Sequence, residues 1–414
     1  MIKELRWLYP GIGIKRWIFL SAVGVIFISL SSASLVKADS YNSNFYSILG
    51  LLLGALAIIV GIKEFVAAVI NALYPERSKK LLELFLEKKK LEKGPNIVAI
   101  GGGTGLSTLL QGLKNVTANT TAIVTVADDG GSSGRLRKEF DILPPGDIRN
   151  CLVALADAPP LMRELFQYRF KAEGELKDHN FGNLFITALS QITGDFEKAI
   201  KESSKVLAIK GRVIPATVDK VKLIAEHENG RETVGESKIP EAKLKIKRVR
   251  LQPSQCKLVY EAMEAIENAD VIILGPGSLY TSVIPNLLVP GMAEAILNSP
   301  AIKIYVVNIM TQLGETDNYT ASDHIKAIFE HTSSSLIQYA VLNLSFIPGD
   351  LLQNYQEEDS SPVRADIIEV EKLGPKAIVR DLSDLGGVVR HDSNKLAELV
   401  LEILSLNKSR GKWI

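Results

Sequence analysis

Two clusters of glycines and small polar residues each follow an apolar run with the length of a buried strand. The run Asn96–Ile100 leads into Gly101–Gly105, and the run Ile123–Ala127 leads into Asp128, Asp129 and a Gly/Ser segment. A glycine-rich turn between a strand and a helix lets backbone N–H groups approach a phosphate, and the helix N-terminus favours its negative charge. The two strand ends therefore predict a nucleotide pocket at the carboxyl edge of an open α/β sheet.

The first cluster predicts a phosphate-binding loop of an uncommon type. Leu106 stands where the dinucleotide fingerprint requires Gly or Ala, and the Gly-Lys-Ser/Thr of the P-loop is absent. A tight strand-to-helix turn without a ligand is the structural alternative. The expected contacts are Gly102, Gly103, Thr104 with its hydroxyl, and Gly105.

The second cluster offers carboxylates and a second anion-binding turn. Asp128 and Asp129 are expected to hold ribose hydroxyls or Mg²⁺, a cation that takes carboxylate and phosphate oxygens. Arg135 and Arg137 follow and are available to pair with phosphate. A solvated turn is the alternative. The predicted nest contacts are Gly131, Ser132 and Ser133.

Three further loops add polar candidates. Residues 144–150 begin a helix for which Asp147 is the expected N-cap, residues 179–184 place two asparagines around a glycine beside His179, and residues 275–282 follow an apolar strand. Tyr280 is expected to stack on a base or sugar. The candidates from these loops are Gly146, Asp147, Arg149, Asn150, Asn180, Asn183, Gly275, Gly277, Ser278, Tyr280 and Thr281.

Residues 308–317 follow a fourth predicted strand. Their polar side chains are expected either to contact the base or sugar of the ligand or to close the edge of the pocket by hydrogen bonding. They are Asn308, Thr311, Gln312 and Glu315. No Ser-His-Asp or Cys-His arrangement stands out, so the sequence offers no activated nucleophile.

Alternating elements must position these loops. Residues 206–250 differ from the rest, with short β-like pieces and the hairpin signal Glu228–Gly230, and predict an antiparallel excursion. The alternation predicts an α/β, Rossmann-like fold, with a mainly parallel sheet and helices on both faces. Strands are predicted at 96–101, 121–127, 271–275 and 304–308, and helices at 105–114, 147–157, 160–169, 182–192, 195–202, 254–268, 322–332 and 393–406.

The N-terminal part predicts a transmembrane hairpin over residues 1–75. Trp17–Val36 and Phe45–Ile62 are uncharged runs of bilayer-spanning length, although a signal peptide and a buried core helix would also match such runs. Cations flank the outer ends of the hairpin, namely Lys3, Arg6, Lys15 and Arg16 before it and Lys63, Arg77, Lys79 and Lys80 after it. This bias predicts that the following domain faces the cytoplasm.

Composition limits the number of domains and the functional classes that fit the rest of the chain. Residues 76–94 are predicted to form a charged helical linker, and residues 95–406 are long enough for one large α/β domain. The net charge of +1 lacks the excess of basic residues that is typical of nucleic-acid-binding proteins. Cys151 and Cys256 are far apart and in no metal-like spacing, which indicates a reducing compartment. Self-association and a protein partner are left open.

The motifs together resemble the CofD-like superfamily over roughly residues 95–405. The strings that carry the resemblance are Gly101–Leu106, Ala127–Gly134, Pro145–Asn150, Asn180–Leu184 and Gly275–Ser278. Within the superfamily, Thr125–Arg137 and Met310–Asp317 resemble the YvcK branch of bacterial gluconeogenesis factors. The resemblance does not extend over the hairpin.

The resemblance implies a nucleotide-diphosphate site with Thr104 in the phosphate loop, Asp128 and Asp129 in the acidic loop, and Tyr280 in a nucleotide-contacting loop. For the branch it implies a UDP-sugar-binding regulator linked to gluconeogenic growth, cell shape and cell-wall precursor supply, without turnover. The alternative is a transferase that moves a phospholactyl group from a guanosine diphosphate donor with Mg²⁺. A nicotinamide-dependent oxidoreductase is disfavoured by the broken fingerprint.

Overall fold

A computed structural model of the chain describes residues 14–37, 41–73, 86, 88–171, 173–345, 347–349, 352, 355, 359–384, 386 and 388–410. The chain divides into two compact units, Met1–Lys89 and Lys90–Ile414. Most of the predicted linker 76–94 lies outside the described residues, so its helical character stays a prediction.

The first unit contains two long helices, α1 (Ile14–Lys37) and α2 (Tyr41–Leu73). Their segments Lys15–Leu35 and Asn44–Val69 are long and apolar enough to cross a membrane, by length and composition. Large apolar side chains are exposed along both helices. Most of the cations behind the orientation prediction lie outside the described residues, so the orientation stays a prediction; they are Lys3, Arg6, Arg77, Lys79 and Lys80.

Small residues line the contact between α1 and α2. A Cβ built on Gly24 would lie 2.7 Å from the carbonyl oxygen of Gly54, and a Cβ on Gly61 would collide with the hydroxyl of Ser21. Close backbone approach at small residues is typical of helix pairs in lipid, where there is no hydrophobic drive between helices. The packing of this pair therefore fits the predicted hairpin.

The second unit is built on a sheet of seven parallel strands, which are β1 (Ile97–Gly101), β2 (Thr120–Val124), β3 (Arg212–Pro215), β7 (Val271–Leu274), β8 (Ile302–Val306), β9 (Tyr339–Asn343) and β10 (Lys376–Arg380). Their spatial order is β10-β9-β8-β7-β1-β2-β3. The chain runs outward from β1 to β3, returns to the other side of β1, and runs outward again to β10. This reversal between β1 and β7 is a topological switch point, where open sheets leave a crevice for ligands.

The central strands are apolar because both of their faces are covered. Every residue of β1, β2 and β7 is buried, as expected for parallel strands between layers of helices. The helices described around the sheet are α3 (Gly103–Leu113), α4 (Gly131–Phe140), α5 (Gly146–Leu155), α6 (Pro160–Gln167), α7 (Phe181–Thr193), α8 (Phe196–Val206), α9 (Lys238–Glu241), α10 (Tyr260–Glu267), α11 (Ile284–Leu287), α12 (Met292–Asn298), α13 (Ala321–His331), α14 (Ile367–Lys372) and α15 (Ser393–Arg410), with a π-helical turn at Leu279–Val283.

The predicted fold class is confirmed, and several local predictions are corrected. β2 ends at Val124 rather than at residue 127, and α10 begins at Tyr260 rather than at residue 254. Helix α4 occupies the segment for which a Gly/Ser anion nest was predicted. Strands β9 and β10 have no counterpart among the predicted elements.

The antiparallel excursion predicted over residues 206–250 begins later, at Lys222, and ends at Gln252. Strand β3 belongs to the main sheet, and a separate three-stranded antiparallel sheet follows, made of β4 (Lys222–His227), β5 (Glu232–Val234) and β6 (Ile246–Gln252). The predicted hairpin turn joins β4 to β5, where Gly230 N–H donates to the carbonyl of His227. A short antiparallel pair, β11 (Ser383–Asp384) and β12 (Arg390–His391), precedes α15.

Candidate functional site

A cavity of about 210 Å³ lies at the switch point between β1 and β7. It brings together the loops that follow β1, β7 and β8, and it adds residues of β12. Arg390 is the only charged group among the described residues that line it, and no carboxylate lines it. The lining residues are Gly102, Gly103, Thr104, Gly105, Thr108, Pro276, Gly277, Ser278, Ser282, Asn308, Ile309, Met310, Gln312, Val389, Arg390 and His391.

The loop after β1 requires its glycines. Gly103 has φ +64°, a left-handed conformation that favours glycine, and a Cβ on Gly105 would lie 2.6 Å from the carbonyl oxygen of Pro276. Because the first four N–H groups of a helix lack intrahelical partners, the first turn of α3 offers donors to a ligand. The N–H of Gly103 is already bonded to the carboxylate of Asp147. The N–H groups of Thr104 and Gly105 and the exposed Thr104 side chain complete the loop.

The loops after β7 and β8 are tied to each other. Gly277 N–H donates to Asn308 Oδ1 over 3.1 Å, which fixes the two strand ends at a short separation. Ser278 and Ser282 line the cavity on this side. The predicted contacts Gly277 and Ser278 therefore lie opposite the phosphate loop, while Gly275, at φ +73°, turns the chain out of β7.

Tyr280 and Thr281 lie away from the cavity. Tyr280 is 2% exposed, and its hydroxyl shares a 2.8 Å hydrogen bond with the hydroxyl of Tyr319. Thr281 donates to Glu315 Oε1 over 3.1 Å. Burial of its side chain raises the pKa of Glu315 to about 7. In this structure both predicted ligand contacts are engaged in the packing behind the loop after β7.

Buried carboxylates border the phosphate loop. Burial raises the pKa of Asp128, and burial together with the neighbouring Asp128 raises the pKa of Asp147 to about 6. Burial and the same aspartates raise the pKa of Glu236, a residue of the antiparallel excursion, to about 8. Such shifts concentrate at functional sites, because binding and catalysis require charges that folding alone would avoid. Asp147 is not the N-cap of α5, since Pro145 holds that position.

Asp129 holds the excursion against the sheet edge. Its Oδ1 accepts hydrogen bonds from the Ser237 N–H over 2.9 Å and from the Ser237 hydroxyl over 2.8 Å. The guanidinium of Arg137 donates to the carbonyls of Asp128 and Val221. Both side chains thus have structural partners in the protein, and the ligand contacts expected of them stay predictions.

The remaining predicted residues form a polar cluster around Ser132. Its hydroxyl lies 3.2 Å from His179 Nδ1, and it accepts from Asn183 Nδ2 over 3.2 Å. Asn180 is the N-cap of α7, and its side chain accepts from the Asn183 N–H. The other members are distributed around it. Ser133 donates to Asp128 next to Gly146, Asn150 accepts from Arg149, and Gly131 is at φ +47° at the start of α4.

Arg390 and His391 were missed by the sequence prediction. They form the two-residue strand β12, which no local pattern marks, and they reach the cavity because the chain packs against α3 there. Gly112 of α3 leaves room for the carbonyl of Ser393, at the start of α15. In the sequence Arg390 and His391 only follow a segment to which no helix or strand was assigned, and that position does not indicate a binding role.

Among the described residues, no group of three or more His, Cys, Asp and Glu side chains is arranged to hold a metal ion. Mg²⁺ commonly uses one or two carboxylates and completes its shell with phosphate oxygens and water. Asp128 lies beside Asp147, which is bonded to the phosphate loop, and it accepts hydrogen bonds from the Gly130 N–H and Ser133, whereas Asp129 is turned toward Ser237. A Mg²⁺ site would therefore depend on the ligand.

A protein-family model described as "2-phospho-L-lactate transferase CofD" matches residues 97–383. The "Putative gluconeogenesis factor" of Clostridium acetobutylicum is 44% identical over 417 residues, which covers 97% of this chain and 92% of that protein. The "Gluconeogenesis factor" of Bacillus subtilis is 49% identical over 312 residues, which covers 75% of this chain and 98% of that protein.

A crystal structure of a protein from Bacillus halodurans superimposes with a TM-score of 0.74 at 50% identity, and the match covers 75% of this chain and all of that one. The relatives therefore differ in length. The two Bacillus proteins correspond to the second unit alone, whereas the similarity to the Clostridium protein extends over the N-terminal helices, which the motifs did not cover.

Proposed function

This chain belongs to the CofD family, in its branch of gluconeogenesis factors, and on that premise we propose that the second unit is a nucleotide-binding regulator. Its ligand is a nucleoside diphosphate linked to a sugar, with UDP-sugars as the first candidates. The bound state links growth on gluconeogenic carbon to cell-wall precursor supply and cell shape. Regulation requires only that the ligand bind two states of the protein with different affinity.

One observation carries this proposal, which is the chemistry of the cavity wall at the switch point. The N–H groups of Thr104 and Gly105 in the first turn of α3, the hydroxyls of Thr104 and Ser278, and the guanidinium of Arg390 all favour an anion. No carboxylate lies among the described lining residues. A diphosphate matches this combination, because its two phosphates extend along several donors at once.

A transferase is the second candidate, and the description of the matching family model favours it. A transferase would need Mg²⁺ to offset charge on the leaving diphosphate, and Asp128 is the carboxylate that fits this role. The regulator stands first because the relatives that match over nearly their whole length are named as gluconeogenesis factors.

The first unit is proposed to anchor the protein in a membrane, with the second unit in the cytoplasm. The exposed apolar surfaces of α1 and α2 and their small-residue contact support this location. A membrane-attached sensor would meet its ligand where nucleotide-linked precursors of the cell wall are consumed.

The test uses residues 90–414, since the Bacillus relatives consist of this unit alone. Calorimetry compares UDP-N-acetylglucosamine, UDP-glucose, GDP and NAD, each with Mg²⁺ and with EDTA. We expect a UDP-sugar to bind, and mass spectrometry to recover it intact after long incubation. Release of UDP, or transfer to an added acceptor, would favour the transferase. Absence of binding to every nucleotide would contradict both candidates.

A further inference from the structure

Two buried polar atoms at the cavity have no partner. His391 is 8% exposed and lines the cavity, and its Nε2 forms no hydrogen bond. Gln312 lines the same cavity, and its buried Oε1 is also without a partner. A buried polar atom without a hydrogen bond is destabilising, so two such atoms in one cavity indicate that a bound group completes them.

The imidazole of His391 can only accept a hydrogen bond at this atom. The carbonyl of Val307 interacts with the ring and can only accept, and because Nε2 is unpartnered we assign its donor as Nδ1, which then carries the proton. Burial lowers the pKa of His391 to about 4, so the ring is neutral at physiological pH. Nε2 therefore presents a lone pair, as does the carbonyl oxygen of Gln312.

The two acceptors are unsuited to a phosphate. A phosphate oxygen is itself an acceptor, and lone pairs facing it would repel it, whereas hydroxyl and amide N–H groups would satisfy both atoms. The cavity thus has a donor-rich part at Gly102–Gly105 and an acceptor part at His391 and Gln312.

We propose that His391 Nε2 and Gln312 Oε1 bind hydroxyl or amide N–H groups of the uncharged part of the ligand whose diphosphate lies at the loop after β1. This inference rests on the proposed function and makes His391 and Gln312 the residues that determine which uncharged group is accepted. A site built to accept from a hydroxyl rejects an analogue that lacks it, because the buried acceptors are then left unpaired. The donors belong either to the sugar or to the nucleoside, and both have the same chemistry.

The experiment uses residues 90–414 and three probes of increasing size, which are pyrophosphate, UDP and UDP-glucose. His391→Phe removes Nε2 and keeps an aromatic ring, and Gln312→Met removes Oε1 at similar length. His324→Phe is the matched control, because His324 is fully buried with an unpartnered Nε2 but does not line the cavity. Thermal unfolding without ligand checks that each variant is folded.

We expect each cavity variant to bind pyrophosphate like wild type and to lose about tenfold in affinity for a larger probe, the size of one buried hydrogen bond. A loss that begins with UDP assigns the acceptors to the nucleoside, and a loss that begins with UDP-glucose assigns them to the sugar. His391→Gln, which restores an acceptor oxygen, should recover part of the loss.

Wild-type affinity for every probe in both cavity variants would overturn the inference while leaving the proposed function intact. An equal loss for pyrophosphate would also overturn it, because the two residues would then act on the phosphates. Failure of the wild type to bind any of the three probes would overturn the inference, and failure of UDP-N-acetylglucosamine, GDP and NAD as well would overturn the proposed function.

Discussion

The carboxylate of Asp147 accepts a hydrogen bond from the backbone N–H of Gly103, so an anion of the protein occupies one donor of the loop after β1. With a pKa raised to about 6 by burial and by Asp128, this carboxylate is mainly ionised at pH 7 and loses its charge just below it. A ligand phosphate at the loop therefore meets a fixed negative charge, unless the proton or a cation neutralises it.

Asp147→Asn should strengthen UDP-glucose binding in EDTA. The amide oxygen still accepts from Gly103, while the repulsion disappears, which is worth roughly 1 kcal/mol for unit charges about 4 Å apart even at the dielectric of bulk water. Wild-type affinity should rise as the pH falls from 7 to 5, because protonation of Asp147 has the same effect, and the variant should show no such rise. Calorimetry at three pH values measures both. Weaker binding by the variant in EDTA would show that the carboxylate itself contacts the ligand.

Thr104→Val should weaken binding of the same ligand about three- to tenfold, the size of one hydrogen bond. The Thr104 side chain is exposed at the cavity, and valine has the same shape without the hydroxyl. Thr108→Val is the control, because the hydroxyl of Thr108 is already bonded to the carbonyl of Thr104 over 2.9 Å. Equal effects of both substitutions would mean that the loop is perturbed as a whole.

The contribution of Glu236 to the stability of the second unit should fall as the pH rises from about 5 to 8. The pKa of Glu236 is raised from 4.5 to about 8, so between these values the folded state keeps a proton that the unfolded chain has lost. Stability then falls with rising pH by up to about 1.4 kcal/mol per unit for one such group. Urea unfolding at pH 5, 6.5 and 8 measures the slope.

Glu236→Gln should remove part of that slope and stabilise the protein by roughly 1–3 kcal/mol at pH 8, with no gain at pH 5. Glu241→Gln, on an exposed carboxylate of the same excursion, is the matched control. An unchanged dependence of stability on pH in the Glu236 variant would mean that a different buried carboxyl group titrates in this range.

The full chain should sediment with membranes and need detergent for release, while residues 90–414 should stay in the supernatant. The apolar surfaces of α1 and α2 supply the attachment. A reporter fused to the C-terminus should be active on the cytoplasmic side. Recovery of the full chain without detergent, or reporter activity outside the cytoplasm, would contradict the anchor or its orientation.

The predictable part of the fold was the part with a continuous local pattern. β1, β2 and β7 were recognised because burial on both faces makes them unbroken apolar runs. The loops after them were recognised because glycine and hydroxyl residues interrupt those runs. β9 and β10 were missed. β10 is an edge strand whose residues are only half-buried or exposed, so its apolar run is short.

The sequence could not show whether the side chain of a loop residue points into the cavity or into the protein interior. Ser278 lines the cavity and Tyr280 packs behind it, although both follow the same glycines, because the π-helical turn at Leu279–Val283 sends them in different directions. Likewise, the Gly/Ser segment after Asp129 begins a helix that buries Leu136, so its hydroxyls bond to neighbouring side chains. Such directions depend on tertiary contacts that no local pattern encodes.

The walls of the cavity come from opposite ends of the second unit, with Gly103 near its start and His391 just before its last helix. During translation the glycine loop leaves the ribosome early, whereas β12 follows only after all seven strands of the main sheet. A nascent or C-terminally truncated chain therefore has the loop without its facing wall. Ligand capture should begin only after β12 has been made, later than any insertion of the N-terminal helices.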